Sequence, residues 1–131
     1  MRVVPILLAL AFGSASAHTA VTSMTPAADA TVSAPKELVL KFNEPVELRF
    51  STFRVLALKS GQAADDGAQA ALALKADATE LANTPLIARN LAAQLRIPLK
   101  SNLKAGSYVV AWKILSEDGH PVTGHNVFMV K

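Results

Sequence analysis

"GSYVVAWKILSEDGHPVTGHNVFMVK", residues 106–131, consists of two apolar runs separated by a polar stretch. Tyr108, Val110, Trp112 and Ile114 recur at every second position, the period of a strand with one face on a core. Val127 and Met129 alternate with Phe128 and Val130 in the same way. Between the runs stand Asp118, Gly119, His120 and Pro121, residue types that make turns. The stretch predicts a strand over 106–115, a turn, and a closing strand over 125–131.

The pattern extends upstream. "ELVLKFN" (37–43) sets Leu38, Leu40 and Phe42 on one face and Val39 and Lys41 on the other. "STFRVLAL" (51–58) aligns Phe53, Val55 and Ala57, and "QLRIPL" (94–99) is a short strand ended by Pro98. Pro26, Pro35, Gly61, Gly106 and Gly119 punctuate these runs. Short strands with turns about every ten residues favour an all-β, immunoglobulin-like antiparallel β-sandwich with Greek-key connections. Trp112, the single tryptophan, is expected in its core, because an indole buries so much apolar area. The other aromatics are few and also read as core-facing.

Residues 61–90 are less regular. "AQAALALKADATELA" has helical propensity, yet Leu72 and Leu74 also alternate with Ala73 and Lys75. The expectation is a short strand followed by a mobile loop. Neither an internal repeat nor a linker interrupts the chain, so a single domain is expected.

The first seventeen residues, "MRVVPILLALAFGSASA", stand apart. Arg2 provides a positive start, residues 3–12 an apolar run, and Ala15-Ser16-Ala17 a small-x-small cleavage signal. The run falls well short of the ~20 residues needed to span a bilayer. The expected organisation is a signal peptide over 1–17 and a mature domain over 18–131, exported to the periplasm and not inserted in a membrane. The chain has no cysteine, so it forms no disulfide there. A net charge of +3, +2 once Arg2 is removed, together with few aromatics, argues against nucleic acid as a partner.

Cleavage after Ala17 makes His18 the first residue. Its α-amino group and its imidazole Nδ1 can then close a chelate ring on one ion. Two nitrogens in one plane suit Cu(II), which prefers tetragonal nitrogen and oxygen sites. A histidine at a chain end is a weak signal by itself, since such ends often fray. Asp118 and His120 strengthen it. On an extended segment an Asp-x-His pair projects two donors to the same side, ~6.6 Å apart along the backbone. Pro121 tends to keep His120 extended. Asp-Gly and His-Pro also read as a plain turn. Joined to the amine and imidazole of residue 18, Asp118 and His120 complete an N3O set.

At this point the sequence resembles the CopC family of periplasmic copper-binding proteins. "HTAVTSMTPAADATVSAPKELVLKFNEPVE" is similar to the family's opening, and "LKAGSYVVAWKILSEDGHPVTGHNVFMV" to its Gly-x-Tyr-x-Val-x-Trp strand, Asp-x-His-Pro turn and closing strand. The resemblance implies a β-sandwich with Cu(II) held by His18, Asp118 and His120. It also implies Glu44, in "FNEP", as a weaker ligand in an axial or outer position. It further implies a CopD-like inner-membrane importer as partner, here a separate chain. The methionine-rich segment of some family members has no counterpart in "RFSTFRVLALKSGQAADDGAQAALALK". After cleavage only Met24 and Met129 remain, so a Cu(I) site is not expected. His125 lies outside the Asp-x-His pattern and reads as a surface or strand histidine.

The expected function is periplasmic Cu(II) binding by a monomer, for sequestration, resistance or delivery, without catalysis. Two alternatives stand beside it. A copper-dependent polysaccharide monooxygenase also uses a first-residue histidine, but presents exposed aromatics around an open copper. A metal-free immunoglobulin-like interaction module would tolerate loss of Asp118 and His120. No Ser-His-Asp arrangement or phosphate loop supports a hydrolase or a nucleotide enzyme.

Overall fold

A computed structural model describes residues 19–116 and 119–131. The expected signal peptide and its cleavage site, His18 and Asp118 lie outside the described residues. Seven strands form two sheets: β1 (Val21–Thr25), β2 (Thr31–Val32), β3 (Glu37–Glu47), β4 (Thr52–Ala57), β5 (Leu91–Pro98), β6 (Gly106–Leu115) and β7 (Pro121–Val130). One sheet has the order β1-β3-β5 and the other β2-β7-β6-β4. The chain thus folds as the expected β-sandwich. Pairing is antiparallel except where the two-residue β2 runs parallel to the end of β7.

Alternation dictates the core. Leu38, Leu40 and Phe42 of β3, with Leu95 and Ile97 of β5 and Met24 of β1, face Phe53, Val55, Tyr108, Val110, Trp112, Ile114, Phe128 and Val130 of the other sheet. Strand β6 occupies the span the sequence predicts. Strand β7 begins four residues before its predicted start, at Pro121, and pairs with β6 along its whole length. Gly124 lies opposite Trp112 in that pairing. A Cβ on Gly124 would come within 2.6 Å of the indole Nε1, so glycine is what lets the tryptophan lie across β7. Tyr108 stacks on Phe128 and donates its hydroxyl hydrogen bond to the Lys104 carbonyl at 2.6 Å, the tyrosine-corner arrangement of such sandwiches.

Strand β6 is buried on both faces. Val109 and Ala111 point away from the main core, toward a helix, α1 (Ala64–Ala73), and pack with its Ala68 and Ala71. This helix replaces the strand expected near Leu72. Asp65 and Asp66 sit in its first turn, where carboxylates favour a helix N-terminus. Gly67, Ala68 and Ala71 recur at helical spacing as a face small enough to lie close to the sheet.

The expected mobile loop is instead packed structure. Leu81, Ala82 and Asn83 are buried. Ala82 donates its N–H to the Val55 carbonyl at 2.8 Å, and the Val55 N–H donates to Asn83 Oδ1 at 2.8 Å. The segment therefore covers the free edge of β4, whose backbone groups would otherwise lack partners.

Candidate metal centre

The site is built around an irregularity in β3. Lys41 pairs with Gln94, but the next pair is Val46 with Ala92, so the stretch from Phe42 to Pro45 faces a single β5 residue. Extra residues in one strand must bulge out of the ladder. Pro45 is tolerated because a bulge asks no ladder hydrogen bond of it. Phe42 stays in the core, 5.9 Å from Phe53 between ring centroids. Asn43 and Glu44 are left to engage the chain ahead of β1.

That engagement is specific. The Asn43 N–H donates to the Ala20 carbonyl at 3.1 Å, and the Ala20 N–H donates to Asn43 Oδ1 at 2.8 Å. Thr19 Oγ1 donates to Glu44 Oε1 in a short hydrogen bond, and Thr19 is 2% exposed. Residues 19 and 20 are therefore fixed in place. Glu44, expected from the family resemblance as a weaker ligand, lies here as the acceptor that holds Thr19. His18 is the residue directly before it.

The β6–β7 turn forms the other half. The Ser116 carbonyl accepts from the Gly119 N–H at 2.9 Å, while the Ser116 N–H and Oγ donate to the His120 carbonyl at 3.0 Å and 2.7 Å. Gly119 adopts φ +83°, a left-handed conformation that suits glycine at the close of a hairpin turn. Gly119 therefore sits in a tight turn closed by Ser116 and His120. His120 is exposed, and Pro121 opens β7 opposite Leu115.

Both halves meet at one end of the sandwich. Thr19, Pro45 and Glu47 line a cavity of about 400 Å³ together with Ser116 and Gly119. Its apolar wall is Phe50, Leu91 and Leu115, and Phe50 is 57% exposed, so not every aromatic faces the core. Of the expected ligands, the structure describes Glu44 on the bulge and His120 in the turn. Among the described residues no three His, Asp or Glu side chains converge, His18 and Asp118 not being part of that set. His125 is elsewhere: it pairs with Ala111, on the sheet face that carries α1, and borders Asp65 and Gln69.

Met24 is buried in the main core, and Met129 pairs with Ser107 in β7. Thr19 and Asn43 were not singled out in the sequence. Their roles depend on partners more than twenty residues away, which no local pattern encodes.

These elements define a β-sandwich whose N-terminal segment, strand bulge and hairpin turn meet at one end. The family model described as CopC domain matches residues 21–131, and the chain belongs to the CopC family. Protein YobA of Escherichia coli (strain K12) is 34% identical over 116 residues, spanning 88% of this chain and 80% of that protein. Copper resistance protein C of Escherichia coli is 29% identical over 126 residues, 96% of this chain and 90% of that one. The crystal structure of PcoC, a methionine-rich copper resistance protein from Escherichia coli, aligns with a TM-score of 0.59 at 27% identity, covering 88% of this chain and 100% of that one.

Proposed function

We propose that the mature protein begins at His18 and binds Cu(II) through the amine and imidazole of that residue, Asp118 and His120. The observation that carries this reading is the meeting of two segments: Thr19, pinned to Glu44, and Ser116 and Gly119 of the β6–β7 turn line the same cavity. Thr19, Ser116 and Gly119 thereby lie at one end of the fold, which supports a shared site for the segments that flank them. Glu44 then serves chiefly to hold the N-terminal segment and is at most a weak axial ligand. Thioethers are the donors that select Cu(I). The commitment of Met24 to the core supports Cu(II) as the ion held.

In this reading the protein is a periplasmic monomer that sequesters copper or hands it to a CopD-like importer of the inner membrane. It is a carrier and not a catalyst, since the Asp118 carboxylate would take up a place on the ion that oxygen chemistry would need.

Cu(II) titration of the His18-first form tests it. His120→Ala should weaken binding by at least roughly ten- to a hundredfold, the range already seen on losing a hydrogen-bond partner of a metal ligand. His125→Ala, on the opposite sheet face, should leave binding unchanged. Equal losses in the two variants would contradict the ligand set.

A further inference from the structure

A second polar site lies on the flank of the sandwich. A cavity of about 230 Å³ is lined by Arg49, Arg54 and Arg89 and by Ser51 and Thr52, with no acidic residue in its wall. Arg54 points outward from β4, between the core residues Phe53 and Val55. Its Nε donates to the Leu74 carbonyl at 3.3 Å and its Nη1 to the Phe53 carbonyl at 3.0 Å. A guanidinium carries five N–H donors, so these two carbonyls leave Arg54 with donors to offer the cavity.

The charge there is not neutralised from within. Among the described residues the arginine ion pairs are Arg49 with Glu47 at 3.8 Å and Arg96 with Glu37 at 2.6 Å. Arg54 and Arg89 take part in neither. The Arg49 pair is long and exposed, and pairs of that kind contribute little. Burial pushes the Arg54 pKa down from its ordinary value, though a guanidinium in a protein stays charged. A half-buried cation without a counter-charge is costly, and an anion in the cavity offsets that cost.

We propose that this cavity binds a phosphate-class oxyanion. Guanidinium forks match the oxygens of phosphate in bidentate fashion, and hydroxyls supply further donors. The volume is below the ~300–1,000 Å³ of pockets that enclose drug-sized ligands. The ligand is therefore free phosphate or the phosphate head of a larger molecule such as an anionic lipid.

Inorganic phosphate titrated into the protein at low ionic strength should give saturable ¹H–¹⁵N shifts at Thr52, Arg54 and Ala88. Arg54→Gln and Arg89→Gln should each weaken this binding at least tenfold. Arg89 makes no side-chain hydrogen bond among the described residues, so its variant keeps the test decisive if Arg54→Gln disturbs the fold. Arg96→Gln, on β5, should change nothing. Binding to phosphatidylglycerol vesicles but not to free phosphate, with the same loss in Arg89→Gln, supports the site and assigns its phosphate to a lipid head. No saturable response to either probe, or equal losses in Arg89→Gln and Arg96→Gln, would overturn the proposal.

Discussion

A mature chain carrying one extra alanine ahead of His18 should bind Cu(II) roughly a hundredfold more weakly than the chain that starts at His18. The reason is chelation. With His18 first, one residue delivers two nitrogens, and the second bond forms within an already tethered group. Linking two binding groups in this way raises affinity by ~10²–10⁴. An added residue turns the amine into an amide nitrogen, which does not give up its proton readily, and moves the free amine away from the ion. The fold should not change, because Thr19 and Ala20 remain tied to Glu44 and Asn43. Matched Cu(II) titrations and apo-protein melting curves check this. Loss of affinity with an unchanged melting temperature is expected, and unchanged affinity removes the amine from the ligand set.

The largest expected effect on stability lies at the β4 edge. Asn83→Ala should lower stability by about 1–3 kcal/mol, the cost of leaving a buried backbone donor without a partner. That donor is the Val55 N–H, which gives its hydrogen bond to Asn83 Oδ1 at 2.8 Å. Val55 belongs to the main core, and the lost acceptor lies in a segment that itself covers the β4 edge. For a domain of this size the melting temperature should fall by roughly 5–15 °C. Asn90→Ala, at an exposed position whose side chain only donates to the neighbouring Leu91 carbonyl at 3.4 Å, should shift it little. Denaturant unfolding of both variants makes the comparison; equal small effects would mean that Asn83 is not what completes the β4 edge.

The sequence made the sandwich legible where one face of a strand is buried and the other is wet. Leu38, Leu40 and Phe42, or Tyr108, Val110, Trp112 and Ile114, announce themselves by period two, and all lie in the core. It was less legible where both faces are covered. Val109 and Ala111 read as the outward side of β6, but their apolar character already required a covering layer, and α1 supplies it. The helix was hidden because small residues mediate its packing. Gly67, Ala68 and Ala71 carry almost no hydrophobic signal, whereas Leu72 and Leu74 imitate a strand.

The candidate site was legible to a different depth. Residue type, position and family resemblance single out His18, Asp118 and His120 as the proposed donors. The scaffold behind them is not. The bulge at Phe42–Pro45, the clamp between Asn43 and Ala20, and the Thr19–Glu44 bond arise when distant segments meet, and no local period encodes them. Gly119 shows the same limit in small: its left-handed backbone, φ +83°, closes a turn whose hydrogen bonds no spacing announced.

The central claim is that a first-residue histidine and the β6–β7 turn share one copper ion above the β3 bulge. Anomalous diffraction at the copper edge, from crystals of the Cu(II)-loaded mature protein, tests it most directly. A single strong peak is expected, bonded to the amine and Nδ1 of His18, to Asp118 and to His120, with Glu44 still accepting from Thr19. A peak at His125, or an ion bound at the turn without the amine of residue 18, would contradict it.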